Sequence, residues 1–518
     1  MQEGLFTFTR EDVEKLIRSL PGGKAPGPDG LTAEFFKLAP FWHSKYLFLL
    51  YVKVLEKGHY PEGWRKAIVI PIYKGGERKK PSNYRPISLT SLASKIFEKL
   101  LVRYIVSEFD RVGALGTHQY GFRQGYSCDT QLAGLVQDLA DAVDSGESIH
   151  ALFLDFEKAF DKAPHDKMVT KLAAFVRDWR VVRCVNAFLR GRKMAVKVGS
   201  SVSEEGDITS GVPQGSVLGP IVFCGLLSDM HKEVDSAIRL FADDSTVYRK
   251  VNKDEDSRSL QADIDKIFNW VESNEMKLNI DKCAVVKFGK KSRDIHQYKL
   301  GDKEVTQQQN YKYLGVILNE KLSWEQNVDY VVKKAGRNLE FVMRTLKGTD
   351  RRIKTRAYET LVRPTLEYGM KAGDPYRQGQ KADLEMIQRR AARRVLNKYH
   401  RYEPEGVYDS ATDMVKGLGW TSLEERRELD RLCGMYKIVN HHKGWEEMSG
   451  RILRNERLGR GDHTKKLCVD QVRTDVGKYS FLNRTVKDWN SLDENVVLAK
   501  GSKQFRKGAE KWLNDKRE

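Results

Sequence analysis

The chain is poor in the features that mark secreted, zinc-finger and membrane proteins. Its six cysteines, Cys128, Cys184, Cys224, Cys283, Cys433 and Cys468, lie far apart with no C-x-x-C pair. Neither a disulfide framework nor a zinc finger is supported, and a reducing compartment is the default. No apolar run is long enough to cross a bilayer: the richest, YLFLLYVKVL at 46–55, is about half the roughly 20 residues a spanning helix needs. The opening MQEGLFTFTREDVEKLIRSL is acidic and amphipathic, unlike a signal peptide. Internal repeats and low-complexity segments do not stand out. The chain reads as soluble and not secreted, with no membrane partner.

Acid is in short supply too. Ninety Lys and Arg against 71 Asp and Glu give a net charge of +19, which points to a polyanionic partner such as nucleic acid or an anionic membrane surface. The surplus is uneven: residues 331–518 hold 42 basic and 27 acidic side chains and so carry 15 of the 19 charges. Length is no constraint, since 518 residues leave room for two to four domains with sizeable cores.

What is present reads as strands and helices in mixed order. Val13, Leu16, Ile17 and Leu20 recur at helical spacing after Thr9, a candidate N-cap, and Pro21-Gly22-Gly23 ends that helix. GGKAPGPDG is turn-rich; a second helix is expected over about 41–57. WRKAIVIPIYKGG reads as a strand entering a loop, and Leu92, Ile96, Leu100 and Ile105 mark an amphipathic helix. From 148 onward strands become short and acid-tipped. SIHALFLDF ends in Asp155, AIRLFADDSTVYRK reads as strand, two-residue Asp-Asp turn, strand, and KYLGVIL at 312–318 as one further strand. Beyond about 320 helical patterns dominate. The fold class is α+β.

Asp243 and Asp244 place two like charges inside an apolar run. Asp is a common turn residue, so a solvated hairpin tip explains ADD by itself. Asp155 alters the balance, because it also ends an apolar strand, and two adjacent strands would carry all three acids to one sheet edge. Three carboxylates on a rigid edge suit hard divalent ions such as Mg²⁺ and two-metal phosphoryl transfer. Such a site needs phosphate clamps, for which Lys74 and Arg85 in the YKGG and NYRP loops are candidates; ordinary loop charge explains either one alone.

GKAPGPDGL (23–31), WRKAIVIPIYKGG with NYRPISL (83–89), HQYGFRQGYSCDTQL (118–132), FLDFEKAFDKAPH (153–165), GVPQGSVLGP (211–220), FADD (241–244), MKLNIDKC (276–283) and YKYLGVIL (311–318) resemble the motifs of the reverse transcriptases of non-LTR (LINE-type, jockey-like) retrotransposons, in the family's order. The resemblance implies a right-hand polymerase with fingers, palm and thumb, an antiparallel palm sheet and a mainly helical C-terminal region. The corresponding segments are an N-terminal extension and fingers over 1–147, a palm with inserted elements over 148–320, a basic helical thumb over 321–400, and a helical region of unknown role over 401–518.

The same resemblance implies that Asp155, Asp243 and Asp244 form the catalytic triad and bind two Mg²⁺, for which Mn²⁺ is a substitute, with the Phe156 carbonyl as a further ligand. Lys74 and Arg85 would grip the incoming triphosphate. Phe160 would block a ribose 2′-hydroxyl, although a core aromatic explains it equally well. Gln214 and Gly215 would support template and nucleotide. Lys282 is the candidate acid for pyrophosphate, although a solvated loop lysine explains it equally well, and Tyr313, Leu314 and Gly315 would form the primer grip.

In LEMIQRRAARRVL, Leu384, Ile387, Ala391 and Val395 share one helical face, while Arg389 with Arg393 and Arg390 with Arg394 are i, i+4 pairs on another. That stripe is a candidate nucleic-acid contact. The aromatics Trp420, Tyr436, Tyr479, Phe481 and Trp489 read as core in preference to a platform for stacking single-stranded RNA.

The family resemblance implies RNA-directed DNA synthesis from an RNA template, a DNA primer and dNTPs by target-primed synthesis, in the nucleus or nucleocytoplasm. An endonuclease is expected from outside this chain, which reads as the polymerase portion of a larger or degraded element or of a split reading frame. Two rivals stand beside it: a group II intron-type reverse transcriptase and maturase, and a catalytically idle, domesticated RNA-binding remnant.

Overall fold

The computed structural model describes residues 4–516 other than 233, 290–295, 398–409, 456, 458, 460 and 461. Local chemistry sets the first elements. The Thr9 hydroxyl accepts from the Asp12 amide and the Asp12 carboxylate accepts from the Thr9 amide, capping helix Arg10–Arg18, whose buried face is Val13, Leu16 and Ile17. Helix Pro40–Lys57 stops at Gly58, where φ is +62°, a left-handed cap that glycine adopts without a Cβ penalty. A short helix, Ala33–Leu38, follows the turn-rich GGKAPGPDG, where the sequence pattern predicts no element. Helix Leu92–Val112 buries Ile96, Leu100 and Ile105.

The longer strands are, in chain order, β1 (Lys66–Tyr73), β2 (Tyr84–Leu89), β3 (Ser148–Leu154), β4 (Arg192–Val198), β5 (Ala237–Phe241), β6 (Asp244–Lys250), β7 (Ala284–Gly289), β8 (Asn310–Tyr313) and β9 (Val316–Asn319). One sheet joins the antiparallel β1–β2 hairpin to β4, which runs parallel to β1. The other has the order β7–β3–β6–β5 and is antiparallel throughout that stretch; a two-residue strand, Thr306–Gln307, adds a parallel edge beside β7. Every residue of β3 is buried, as expected of a central strand covered on both faces.

Two local expectations are corrected. The turn in FADDSTVY is Ala242-Asp243, not Asp243-Asp244: Asp244 already pairs with Phe241 as the first residue of β6. Ala242 takes a φ of +54°, the positive φ at the first turn position by which a two-residue hairpin matches the right-handed twist of its strands. YKYLGVIL is likewise a hairpin and not one strand, with Leu314 at φ +44° and Gly315 at φ +84° between β8 and β9. Both central residues at positive φ make the tightest connection that matches strand twist.

Beyond Trp324 the regular elements of the described chain are helices, with one long non-helical stretch over 450–474 that holds an isolated antiparallel bridge between Arg454 and Leu467. One apolar core joins Leu135 of helix Cys128–Asp144, Phe153 of β3 and Phe288 of β7 to Leu339, Ile387 and Trp420. Another gathers Tyr436, Phe481 and Trp489 with Ala133 of helix Cys128–Asp144. Among the described residues all six cysteines are free thiols, and no helix is long and apolar enough to cross a membrane.

Candidate active site

The three acids meet through strand register. Leu154, the last residue of β3, pairs with Ser245 of β6, so Asp155 and Asp244 fall at the same end of adjacent strands, with Asp243 in the adjoining turn. Backbone bonds fix the Asp155 segment: its carbonyl accepts from the Asn279 amide at 2.7 Å and the Glu157 amide donates to the Lys277 carbonyl at 2.8 Å. These bonds flank a bridge between Phe156 and Leu278 and make no use of the Phe156 carbonyl, although the Phe156 side chain is buried.

The field at this edge opposes three negative charges. Burial, and then the Asp243 and Asp155 charges, push the Asp244 carboxyl up to about 6. Asp243 is raised by burial and by Asp155, with Arg85 and Lys74 pulling the other way. Asp155 is raised by burial and partly relieved by Lys282 and Lys74; the Lys282 Nζ stands 3.8 Å from its Oδ2. Tyr311, stacked on Phe153 at 4.4 Å, is pushed up to about 12 by burial and then by Asp155 and Asp244.

As they stand, no three His, Cys, Asp or Glu side chains among the described residues are drawn close enough to enclose an ion. The donor chemistry nevertheless fits one. Hard, partly buried oxygens that repel each other are what a divalent cation relieves.

Lys74 and Arg85 lie at the loop end of the β1–β2 hairpin, where Ile72 pairs with Arg85 and the Lys74 amide donates to the Asn83 carbonyl at 2.8 Å. Both side chains are exposed, and both bear on the Asp243 carboxyl across space. Phe160, in helix Ala159–Lys162, is half-buried. Its ring stacks on Phe223 with centroids 4.4 Å apart and meets Phe122 edge-on at 6.1 Å. It is therefore partly a packing residue and partly open to solvent.

Gln214 donates through Nε2 to Asp161 Oδ1 at 2.8 Å, and its carbonyl accepts from the Ser88 amide of β2 at 2.7 Å. Gly215 has a φ of +121°, and a Cβ there would stand 2.7 Å from the Ser88 carbonyl oxygen. The close approach that demands glycine is to β2. This loop thus ties β2 to the helix carrying Phe160.

In the β8–β9 hairpin Tyr313 is buried, its hydroxyl bonded to Gln131, while the Leu314 carbonyl accepts from the Tyr368 hydroxyl at 2.7 Å. Gly315 packs under the Tyr368 ring, 3.1 Å from where a Cβ would stand.

The arginine stripe on helix Gln378–Leu396 divides. Arg390 and Arg394 are half-buried and both bind Glu340, at 2.7 and 2.9 Å, whereas Arg389 and Arg393 are exposed.

Two residues that the motifs do not single out also shape the site. Gln119 is buried against the Ala242-Asp243 turn. Arg239, buried in β5, binds Asp138 and Glu447 at 2.7 and 2.6 Å, so the C-terminal helices grip the palm sheet's edge strand. Its signal was present in AIRLF, a charge inside a buried apolar strand, which has to be paired.

Residues 77–318 match the family model described as reverse transcriptase (RNA-dependent DNA polymerase). The chain is 29% identical over 406 residues to the RNA-directed DNA polymerase from mobile element jockey of Drosophila melanogaster, covering 76% of this chain and 44% of that protein. It is 32% identical over 324 residues to the probable RNA-directed DNA polymerase from transposon X-element of the same species, covering 61% and 36%. A third relative, the probable RNA-directed DNA polymerase from transposon BS of the same species, is 27% identical over 450 residues, covering 83% and 48%. The chain thus spans less than half the length of these curated relatives. Residues 77–318 thus match a reverse transcriptase domain, and the chain is similar over most of its length to RNA-directed DNA polymerases of mobile elements.

Proposed function

We propose that this chain is an RNA-directed DNA polymerase, joining the α-phosphorus of a dNTP to a primer 3′-oxygen on an RNA template and releasing pyrophosphate. The observation that carries this reading is the β3–β6 register, Leu154 opposite Ser245, which leaves Asp155 and Asp244 side by side with Asp243 next to them. Mg²⁺, as two ions with Mn²⁺ as a substitute, would be held by Asp155, Asp243, Asp244 and the Phe156 carbonyl. Bound there, it supplies acidification of the 3′-hydroxyl and charge balance for the leaving pyrophosphate.

The chain's own residues provide positioning. Lys74 and Arg85, exposed cations facing the acids, clamp the triphosphate. Phe160, backed by Phe223, fills the volume beside ribose C2′, and the Gln214-Gly215 loop links that ring to β2. Lys282 delivers a proton to pyrophosphate. Tyr313, Leu314 and Gly315, held by Gln131 and Tyr368, guide the primer end. In this reading residues 1–147 serve as extension and fingers, 148–320 as palm, 321–400 as thumb and 401–518 as a brace behind the palm. Target-primed synthesis in the nucleus, at a nick made by an endonuclease outside this chain, completes the proposal.

The test is primer extension by the purified chain on poly(rA)/oligo(dT) with Mg²⁺, beside Asp243→Asn and Asp244→Asn. Product from the parent and none from the variants supports the reading. Duplex binding without extension by the parent would support the idle RNA-binding alternative instead.

A further inference from the structure

Resting on that reading, we infer that Gln119 is a positioning residue for the polymerase chemistry, its side-chain oxygen holding the turn that carries Asp243 in place. The segment before it lies along β5 like an extra strand: the Leu240 amide donates to the His118 carbonyl at 2.9 Å and the Tyr120 amide donates to the Leu240 carbonyl at 2.8 Å. From that track the Gln119 side chain, 1% exposed, extends to the turn. Its Oε1 accepts the Ala242 amide at 2.9 Å and the Gly121 amide at 2.8 Å. With two N–H groups aimed at one atom, that atom must be the oxygen, so the carboxamide has one orientation.

The need for such a support follows from the turn itself. Ala242 is buried with φ +54°, a conformation that an alanine holds only where its surroundings impose it. Its amide points inward and is out of reach of water, so without Gln119 it loses its acceptor. Gly121 closes the same contact from the other side: a Cβ there would stand 2.6 Å from the Ala242 nitrogen. Asp243 follows directly in the chain, so a turn that relaxes carries its carboxylate away from Asp155 and Asp244. No ligand contact is required of Gln119, and none is implied by its burial.

The experiment uses the full chain with Gln119→Leu, Gln119→Glu and Gly121→Ala, duplex binding serving as the check that each variant is folded. Hydrogen–deuterium exchange of the peptide spanning 238–246, without metal, reads the turn directly. Primer extension with a Mg²⁺ titration reads the consequence.

Gln119→Leu is expected to lose protection at the turn. It should lower kcat on the order of 10- to 100-fold, as a roughly 1 Å misplacement does, raise the Mg²⁺ needed for half-maximal rate, and leave the dNTP KM within about twofold, since the clamps are on another sheet. Gln119→Glu, which keeps an oxygen at the same reach, is expected to restore protection and most of kcat. Gly121→Ala should repeat the leucine signature by pushing on the turn from behind.

Parental protection and kcat in Gln119→Leu, or equal damage from leucine and glutamate, would overturn the inference. Should the leucine variant not fold, unchanged protection and kcat in Gly121→Ala would overturn it as well. A parent that extends no primer but loses turn protection in Gln119→Leu would refute the polymerase reading while leaving the structural contact in force.

Discussion

Lys282 brings its ammonium to 3.8 Å from Asp155 Oδ2 while 68% of its side chain stays in solvent. A cation so placed at the acid edge is free to swing toward a departing pyrophosphate. Lys282→Ala is expected to slow single-turnover extension by about 10- to 100-fold. Lys282→Arg keeps the charge but does not surrender a proton, so it should be nearly as slow. Full activity in the arginine variant would reduce Lys282 to an electrostatic partner of Asp155.

The pH dependence has a definite sign. Asp244 titrates near 6, above the ordinary carboxylate value of 3.8, so between those limits the folded chain binds the proton more tightly than the unfolded one. Without metal, this group therefore favours the folded state below about 4, and its contribution is lost as pH rises through about 6. Asp244 is exposed at its edge, so screening keeps the effect small. Asp244→Asn should raise the metal-free Tm slightly at pH 7 and leave it unchanged near pH 4. The Mg²⁺ required for activity should rise as pH falls through 6; a flat requirement would contradict the assignment.

Phe160→Ala removes the ring beside the cleft and its stack on Phe223. The expected result is a fall of about 10- to 100-fold in the preference for dNTPs over rNTPs, the scale on which a pocket wall discriminates by volume alone, measured as a ratio of kcat/KM values. Unaltered discrimination would return Phe160 to the core.

Among the stripe arginines only Arg389 and Arg393 are exposed. Neutralising that pair should flatten the logarithmic salt dependence of duplex binding by about 2, near 0.9 for each phosphate that the protein ceases to neutralise. Neutralising Arg390 and Arg394, whose guanidiniums are held by Glu340, should change the slope less and stability more. The reverse order would place the nucleic acid on the other flank of the helix.

Glu447 ties the C-terminal helices to Arg239. Burial alone would raise its pKa, yet Arg239 and Arg451 draw it down to about 2. The stability it contributes is complete above its ordinary value near 4.5 and is lost as pH falls toward 2. Glu447→Ala should cost about 3 kcal/mol at pH 7, as breaking a buried pair does, and the difference from the parent should shrink in acid. Denaturant titration at pH 7 and pH 3 checks both.

The sequence by itself determined the pieces whose information is local. Thr9 with Asp12 encodes a helix start, the spacing of Ile96, Leu100 and Ile105 encodes a buried helical face, and SIHALFL followed by Asp155 encodes a strand with an acidic end. Periodicity reports which face of a segment is apolar, and the order of the motifs, with their family resemblance, linked segments far apart in the chain. Only the tertiary structure decided that the turn is Ala242-Asp243, because Gln119 and Gly121, more than a hundred residues earlier, enclose Ala242 in its left-handed conformation. It also decided that Glu340 takes two of the four stripe arginines, and that Glu447, 208 residues from Arg239, locks the last helices against the palm. A side chain's local pattern states that it needs a partner; which distant group satisfies it depends on how the elements pack.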